Sequence, residues 1–586
     1  MRLDDYWGVG PKTRRLLTEQ LGVEAAVEAI ESGDVATLVD AGLPGGRATR
    51  ILRHAHGGEA LDVLATSDTR EVYKQLLELA SEHAVTDDAR DRVRILTPLS
   101  SRAAMVDRLE DVLAARDSWA ALGESRRETA LDIFARYDEA GGGRRAAVEA
   151  ALSLREAGFD TGVFAVLADL DIDALEAALS ALAGLSTGAS NQVGAGADDR
   201  LDALRAQLGT VEDMAATPGD VLSTVQSGAR GTAELREELG RTVAGESSVD
   251  LARVREAMPG QPVDARSFVE ETLRTLAGDL RTAVTDREAE VADRLSDVLA
   301  ETEQAVERAV SAVGEIAFEV SLARFALAFE LTRPELVEQR ATGVVDARNL
   351  ALVDSGVAVQ PVTYAVGEHG LSVPGANRPP TGDRVAVLTG ANSGGKTTLL
   401  ETLCQVQLLA QMGLPVPAAR AEVGVVDTVV FHRRHASFNA GVLESTLQTV
   451  VPPVSEADRT LMLVDEFEAI TEPGRAADLL HGLVTLTVDS DALGVFVTHL
   501  ADDLEPLPDR ARVDGIFAEG LTPGLDLAVD YQPRFETVGR STPEFIVSRL
   551  VANATDRAER SGYEHLAESI GERAVQRTLA DARWSG

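Results

Sequence analysis

The chain has 586 residues, 45% of them hydrophobic, so it is too long for one core and apolar enough to bury several; three or four domains are expected. Its formal net charge of −39 argues against nucleic-acid binding except where positive charge is locally concentrated, and the acids are spread along the whole chain rather than gathered in a tail. The single cysteine, Cys404, excludes an internal disulfide framework and any cysteine metal cluster, and no apolar run approaches the roughly eighteen residues that span a bilayer.

Lysine is confined to Lys12, Lys74 and Lys396, with arginine supplying the other positive charges. Acid excess with lysine depletion suits a protein hydrated in concentrated salt, so a halophilic source is expected. The N-terminus, MRLDDYWGVG, lacks a charged-then-apolar signal pattern, so the expected location is cytoplasmic, with no membrane partner.

Residues 1–57 read as short helices joined by tight turns. Gly8-Val9-Gly10-Pro11-Lys12-Thr13 precedes Arg14-Arg15, and thirty-four residues later Gly42-Leu43-Pro44-Gly45-Gly46-Arg47 precedes Ala48-Thr49-Arg50. This internal repeat resembles a tandem helix-hairpin-helix module. Such a hairpin brings backbone N–H groups at a helix N-terminus close to a phosphate, and the basic side chains that follow add charge-assisted contacts. The expected contacts to a double-stranded DNA backbone are therefore Gly8, Gly10, Lys12, Arg14, Arg15, Gly45, Arg47 and Arg50. The second copy has Pro44 where the second glycine would fall. Seven cations face eight acids across these 57 residues, a net −1 that leaves −38 for the rest. The segment is thus far less acidic than the chain average.

Residues 60–345 are rich in Ala, Leu, Glu, Asp and Arg with periodic apolar positions, and read as a helical core. Breaks are expected at Gly141-Gly142-Gly143, over 185–199 (LSTGASNQVGAGADD) and near Pro259-Gly260-Gln261-Pro262. From Ala265 to about Leu331 there is no proline. Leu273, Leu276, Leu280, Val284, Val291, Leu295 and Leu299 recur at spacings of three and four, which predicts a long helix or coiled-coil arm. From about residue 350 short β-type runs, glycine turns and intervening helices predict an α/β domain to about 550, followed by a helical tail over 551–586.

The α/β segment carries the chemistry. The apolar run Val385–Thr389 leads into Gly390-Ala391-Asn392-Ser393-Gly394-Gly395-Lys396-Thr397, a full Walker A loop, and then into a helix from Thr398. Glycines there let successive N–H groups wrap phosphates, and Lys396 supplies a point charge to the β- and γ-phosphates of ATP. The Thr397 hydroxyl is expected to ligate Mg2+. A second strand, Thr460–Val464, ends at Asp465 and Glu466; Asp465 would hold Mg2+ through its water shell, and Glu466 is placed as the general base for water. A third strand, Leu493–Thr498, delivers His499, suited to sensing the γ-phosphate.

These residues carry a family resemblance. TGANSGGKTTLL is similar to the TGPNMGGKST loop of the MutS ATPases, including Asn392, which generic P-loops do not share. Gln411-Met412-Gly413-Leu414-Pro415-Val416-Pro417-Ala418 resembles the run that follows in that family. Phe431-His432-Arg433-Arg434 and Leu443-Glu444-Ser445-Thr446-Leu447 resemble the stretch ending in its Ser-Thr signature, and Val497-Thr498-His499-Leu500 its Thr-His segment. The resemblance implies a homodimer with composite ATP sites, in which Ser445 acts on nucleotide bound by the partner. It also implies that Tyr531 stacks on adenine and that residues 60–345 are core, lever and clamp, and Thr398 at the start of the helix is expected among the nucleotide-binding residues.

There are departures. Phe467-Glu468-Ala469-Ile470-Thr471-Glu472-Pro473-Gly474 replaces the family's Gly-Arg-Gly-Thr run, and Val450 stands where glutamate is usual. A mismatch-reading domain with its Phe-X-Glu wedge and a C-terminal nuclease-like domain are both expected to be missing. The arrangement most resembles the archaeal MutS paralogues, which bind DNA without sequence or mismatch preference. The expected function is therefore an ATP-hydrolysing, nucleotide-gated clamp on duplex DNA. The alternative is a ribosome-associated ATPase acting on RNA–protein assemblies.

Overall fold

The computed structural model describes residues 3, 6–185, 193–226, 232–260, 264–373, 378–390, 395–434, 440–456, 458–466, 473–521, 527–539, 543–570 and 575. In chain order the helices are α1 Pro11–Gln20, α2 Val23–Ser32, α3 Val35–Asp40, α4 Gly45–Gly57, α5 Ser67–Ser81, α6 Asp87–Arg94, α7 Arg102–Ala121, α8 Glu124–Glu139, α9 Gly143–Glu156 and α10 Ile172–Gly184. There follow α11 Asp199–Ala216, α12 Pro218–Gln226, α13 Thr232–Ser247, α14 Leu251–Glu256 and the 64-residue α15 Ala265–Ala328. Strands and helices then alternate: β1 Glu335–Val337, β2 Ala341–Ala347, α16 Leu350–Asp354, β3 Val362–Gly367, β4 Val385–Gly390, α17 Lys396–Gln411, β5 Arg420–Gly424 and β6 Thr428–His432. The chain continues through α18 Ala440–Glu456, β7 Thr460–Asp465, α19 Pro473–Asp489, β8 Leu493–Val497, β9 Ala511–Leu521, β10 Leu527–Arg534, α20 Pro543–Asn553 and α21 Arg557–Ile570. The architecture is mostly helical, with a C-terminal α/β region.

Part of the acidic composition serves helix starts. Asp34, Asp171, Asp198 and Asp250 each accept a backbone N–H in the first turn of α3, α10, α11 and α14, at 2.8, 3.1, 2.9 and 2.7 Å. A carboxylate there meets both the orphan donors and the positive end of the helix dipole.

Contacts divide the chain into two compact units, Met1–Leu131 with Gly314–Gly586, and Asp132–Val313. In the second unit Val211, Val243, Phe268, Leu273, Leu276 and Leu280 build a core from α11, α13 and the start of α15. Of the apolar series expected along 265–299, Leu273, Leu276 and Leu280 fill this core, while Val284, Val291 and Leu295 pack in a second cluster with Val193 and Leu201.

In the first unit α1 to α4 share a core that includes Leu17, Ile30, Leu38, Ala48, Ile51 and Leu52. The α/β region holds two sheets. One, ordered β1-β5-β2-β3, pairs β2 antiparallel to both neighbours. The other, ordered β10-β9-β4-β8-β7-β6, is parallel from β9 through β6, and β10 alone runs antiparallel. Strands β4, β6, β7 and β8 are buried at every residue. They are continuous apolar runs because helices cover both faces of a parallel sheet. Strand β8 lies between β4 and β7, so the carboxyl ends of all three open on one edge of the parallel sheet, the edge at which open α/β sheets bind ligands.

The β6 edge of this sheet is closed by the segment leading into α5. Leu64 bridges Val429, the Thr66 hydroxyl donates to the Phe431 carbonyl at 2.5 Å, and the Thr69 hydroxyl donates to the Val429 carbonyl at 3.1 Å. The Phe431 N–H returns to Thr69 Oγ1 at 3.0 Å, and the Arg433 N–H to Asp68 Oδ2 at 2.8 Å. Side-chain hydroxyls thus supply the ladder partners that an edge strand lacks.

Candidate functional site

The site forms at the carboxyl ends of β4 and β7. β4 ends at Gly390, whose φ is 131° and where a Cβ would lie 2.3 Å from the Ile516 carbonyl oxygen, so the turn out of the strand admits only glycine. Of the expected loop residues, Ala391, Asn392, Ser393 and Gly394 lie outside the described residues. Gly395 resumes the chain with φ 73° as the N-cap of α17, and a Cβ there would lie 2.8 Å from the Tyr531 ring.

Lys396 is buried, and its Nζ donates to the Gly390 carbonyl at 2.8 Å, holding the ammonium beside the N-terminus of α17. The Thr397 hydroxyl donates to Asp465 Oδ2 at 2.6 Å. Glu466 follows with φ 42°, a left-handed backbone that a glutamate adopts only at a cost and that turns its carboxylate back toward α17. Its N–H donates to the Val497 carbonyl at 3.0 Å. His499 Nε2 lies 2.7 Å from Glu466 Oε1, and Arg434 pairs with Oε2. The His499 hydrogen bond holds the Glu466 carboxyl below the usual carboxylate range, with the charges of His499, Arg434 and Lys396 acting the same way against burial.

Beside these groups is a cavity of about 350 Å³ lined by Asn349, Val357, Gln360, Thr398, Glu466 and Tyr531, together with Lys396 and Thr397. Tyr531 on β10 is 41% exposed, and its N–H is held by Gln360 Oε1 at 3.2 Å. Apolar Val357, Val359 and Val362 and the Tyr531 ring, with Lys396 and Glu466 in the same lining, suit a ligand with a planar ring and an anionic tail. Ser445 lies exposed on α18 and does not line this cavity.

Sequence reasoning did not single out the wall from Ala347 to Val362 or the Arg434–Glu466 pair. The wall had one usable signal, Asn349 as an N-cap: its side chain accepts the Leu352 N–H at 3.2 Å and donates to Thr402 at 3.3 Å. Arg434 carried none, because its partner is 32 residues away on another strand.

The N-terminal residues stand as follows. Gly8 and Gly42, one repeat apart, have φ 82° and 94°; Gly10 caps α1, and Gly45 opens α4. Lys12, Arg14, Arg15, Arg47 and Arg50 are all exposed. Arg15 pairs with Glu19 at 2.7 Å, and Arg47 Nη2 reaches the Gly8 carbonyl at 3.4 Å, joining the two turns.

A five-stranded parallel core with the Lys396–Thr397–Asp465–Glu466 cluster at the carboxyl ends of its strands defines an α/β domain of the MutS domain V class, and the family model described as MutS domain V matches residues 386–503. Over 218 residues the chain is 44% identical to the DNA-binding protein MutS2 of Pyrococcus furiosus, which covers 37% of each protein. It is 30% identical over 258 residues to the Endonuclease MutS2 of Thermomicrobium roseum, covering 41% of this chain and 28% of that one. It is 29% identical over 336 residues to the DNA mismatch repair protein MutS 2 of Halobacterium salinarum, covering 52% of this chain and 35% of that one. The similarity is thus to MutS domain V and to proteins named MutS2 or MutS 2. The chain spans little more than a third of the length of these relatives at most. Among the described residues no helix is long and apolar enough to cross a membrane.

Proposed function

We propose that the protein hydrolyses ATP with Mg2+ and uses the cycle to hold and release duplex DNA, independently of sequence or mismatch, as a cytoplasmic homodimer with composite ATP sites. The observation that carries this reading is the convergence of Lys396, the Thr397–Asp465 pair and the Glu466–His499 pair on one cavity. Adenine would lie against Tyr531 and the phosphates at the N-terminus of α17, where the loop Gly390–Thr398 would donate backbone N–H groups. Thr397 and Asp465 present two hard oxygens side by side, a donor set that fits Mg2+ with water and phosphate completing its shell. Bound there, the ion would neutralise charge on the β- and γ-phosphates. Glu466, ionised and anchored by His499, is the group that takes a proton from the attacking water; Ser445 would act on the partner's nucleotide.

The DNA reading draws on the two hairpins, whose exposed Lys12, Arg14, Arg15, Arg47 and Arg50 flank Gly8, Gly10 and Gly45 in a segment far less acidic than the chain average. It draws also on the Pyrococcus relative's description as DNA-binding. The deciding experiment is ATP turnover in molar KCl with and without duplex DNA, for the full chain, for Lys396→Ala and for a variant lacking residues 1–57. Lys396→Ala should abolish turnover, and the truncation should abolish only the response to DNA. Turnover indifferent to DNA would overturn the clamp reading and leave the ATPase reading standing.

A further inference from the structure

A second and larger cleft, of about 1160 Å³, lies within the first unit between α4 on one side and α5 and α6 on the other. Its cationic lining is Arg50 and Arg53 from α4, Arg70 and Lys74 from α5, and Arg94 from α6. Arg94 is neutralised by Glu78 at 3.0 Å. The others are not: Arg53 donates to the Arg94 carbonyl, Arg70 to the carbonyls of Leu64 and Ala65, and Arg50 and Lys74 pair with no carboxylate among the described residues. In a chain of net charge −39 with only three lysines, one lysine sits in the phosphate loop, one in the first hairpin, and the third, Lys74, faces this cleft. The lining acids are Asp40, Asp62, Glu78 and Asp91; the last two flank Arg94 at 3.0 and 3.9 Å, so the four other cations face Asp40 and Asp62.

The cleft also has an aromatic side. Trp7 is 55% exposed yet stacked on His54, with ring centroids 3.8 Å apart and planes 26° apart. Burial holds the His54 imidazole below its ordinary value, with Asp62 opposing and Arg50 and Arg70 acting the same way as burial. The floor adds Leu64, Tyr73 and Leu77, with the Arg53 guanidinium 5.3 Å from the Tyr73 ring centroid. A duplex, its bases stacked inside and its phosphates outside, could use the cations but not the rings. A single strand offers both a phosphodiester backbone and free base faces.

We propose that this cleft is a groove for single-stranded DNA, with phosphates meeting Arg50, Arg53, Arg70 and Lys74 and a base stacking on Trp7. The proposal rests on the DNA-binding reading and adds to it a groove for a different form of the ligand, which adjoins the second hairpin and shares Gly45 and Arg50 with it. It also fits the solvent that the charge pattern suits. Phosphate neutralisation weakens as roughly the 0.7 power of salt per contact for single strands, whereas base stacking on an aromatic ring is not lost to screening.

The test is fluorescence anisotropy of a labelled oligothymidylate and of a labelled blunt duplex with the full-length chain, Trp7→Leu, Lys74→Gln and Lys74→Arg. Expected are loss of oligothymidylate affinity by about tenfold for Trp7→Leu and by several-fold for Lys74→Gln, largely restored in Lys74→Arg, with duplex affinity and thermal melting unchanged. Oligothymidylate should also quench a tryptophan signal that Trp7→Leu lacks. Duplex binding with no oligothymidylate binding, or equal oligothymidylate affinity for all four proteins, overturns the groove and leaves the duplex reading intact. Failure to bind either probe overturns both.

Discussion

Glu466 concentrates more constraints than any other described side chain of the site. A left-handed backbone, a histidine on one carboxylate oxygen and an arginine on the other leave it one orientation. If it is the general base, Glu466→Gln removes the proton acceptor but keeps the shape, so turnover should fall by about 10²–10⁴-fold with ATP affinity retained. A rate within a few-fold of wild type would assign the proton to another group. The pH profile carries a sign as well. A carboxyl held below its ordinary range is ionised throughout the neutral region and is protonated only as pH falls through that lowered value. Any loss of turnover between pH 6 and 7 would therefore have to come from a different titrating group. Gly390 tests backbone rather than chemistry. Gly390→Ala drives a Cβ to 2.3 Å from a backbone oxygen at φ 131°, which should cost at least about 1–3 kcal/mol and lower the melting temperature by several degrees.

At the scale of elements, the strand β6 and what leaves it matter most. Arg433 and Arg434 follow its last residue; the first contacts Glu401 on α17 at 2.9 Å and Glu71 on α5 at 3.4 Å, and the second holds Glu466. A base paired with arginine is a weaker proton acceptor, so Arg434→Ala should raise turnover in the absence of DNA a few-fold, read in a steady-state phosphate-release assay. A fall instead would make Arg434 part of the phosphate-binding set. The order of elements was readable in advance because it follows from local patterns. The runs 385–389, 460–464 and 493–498 are strings of buried apolar residues, which only a covered parallel sheet explains, and they are β4, β7 and β8. Helical periodicity from 60 onward was likewise legible, but strands begin earlier than the shift expected near 350, with β1 at Glu335–Val337 and β2 at Ala341–Ala347, too short and mixed in pattern to stand out from the helical run before them. What local pattern could not reach is pairing across the chain. Nothing at Arg434 announces Glu466, nothing at Thr66 and Thr69 announces the edge of β6, and no period reveals that Trp7 and Lys74 face one cleft.

At the scale of the whole molecule, a net charge of −39 makes proton uptake a lever on stability. Glu319 on α15 is pushed up to about 7, first by burial and then by Asp111 and Glu315, with Arg92 opposing. Its contribution to stability is intact below the ordinary glutamate value of 4.5 and is lost as pH rises toward 7. Glu319→Gln should therefore melt higher than wild type at pH 8, by on the order of a degree or two, with the advantage fading by pH 5. An equal gain at both pH values would point to packing rather than charge. Helix α5 belongs to this scale too, since its first turn closes the sheet edge beside Arg433 while Arg70 and Lys74 face the cleft. One helix thus lines the cleft and packs on the sheet that carries the phosphate loop, and if it couples the two proposed sites, linkage works in both directions. If nucleotide at the phosphate loop loosens a strand in the cleft tenfold, the strand must loosen the nucleotide tenfold as well, about 1.4 kcal/mol of coupling that neither ligand can exert without receiving it in return.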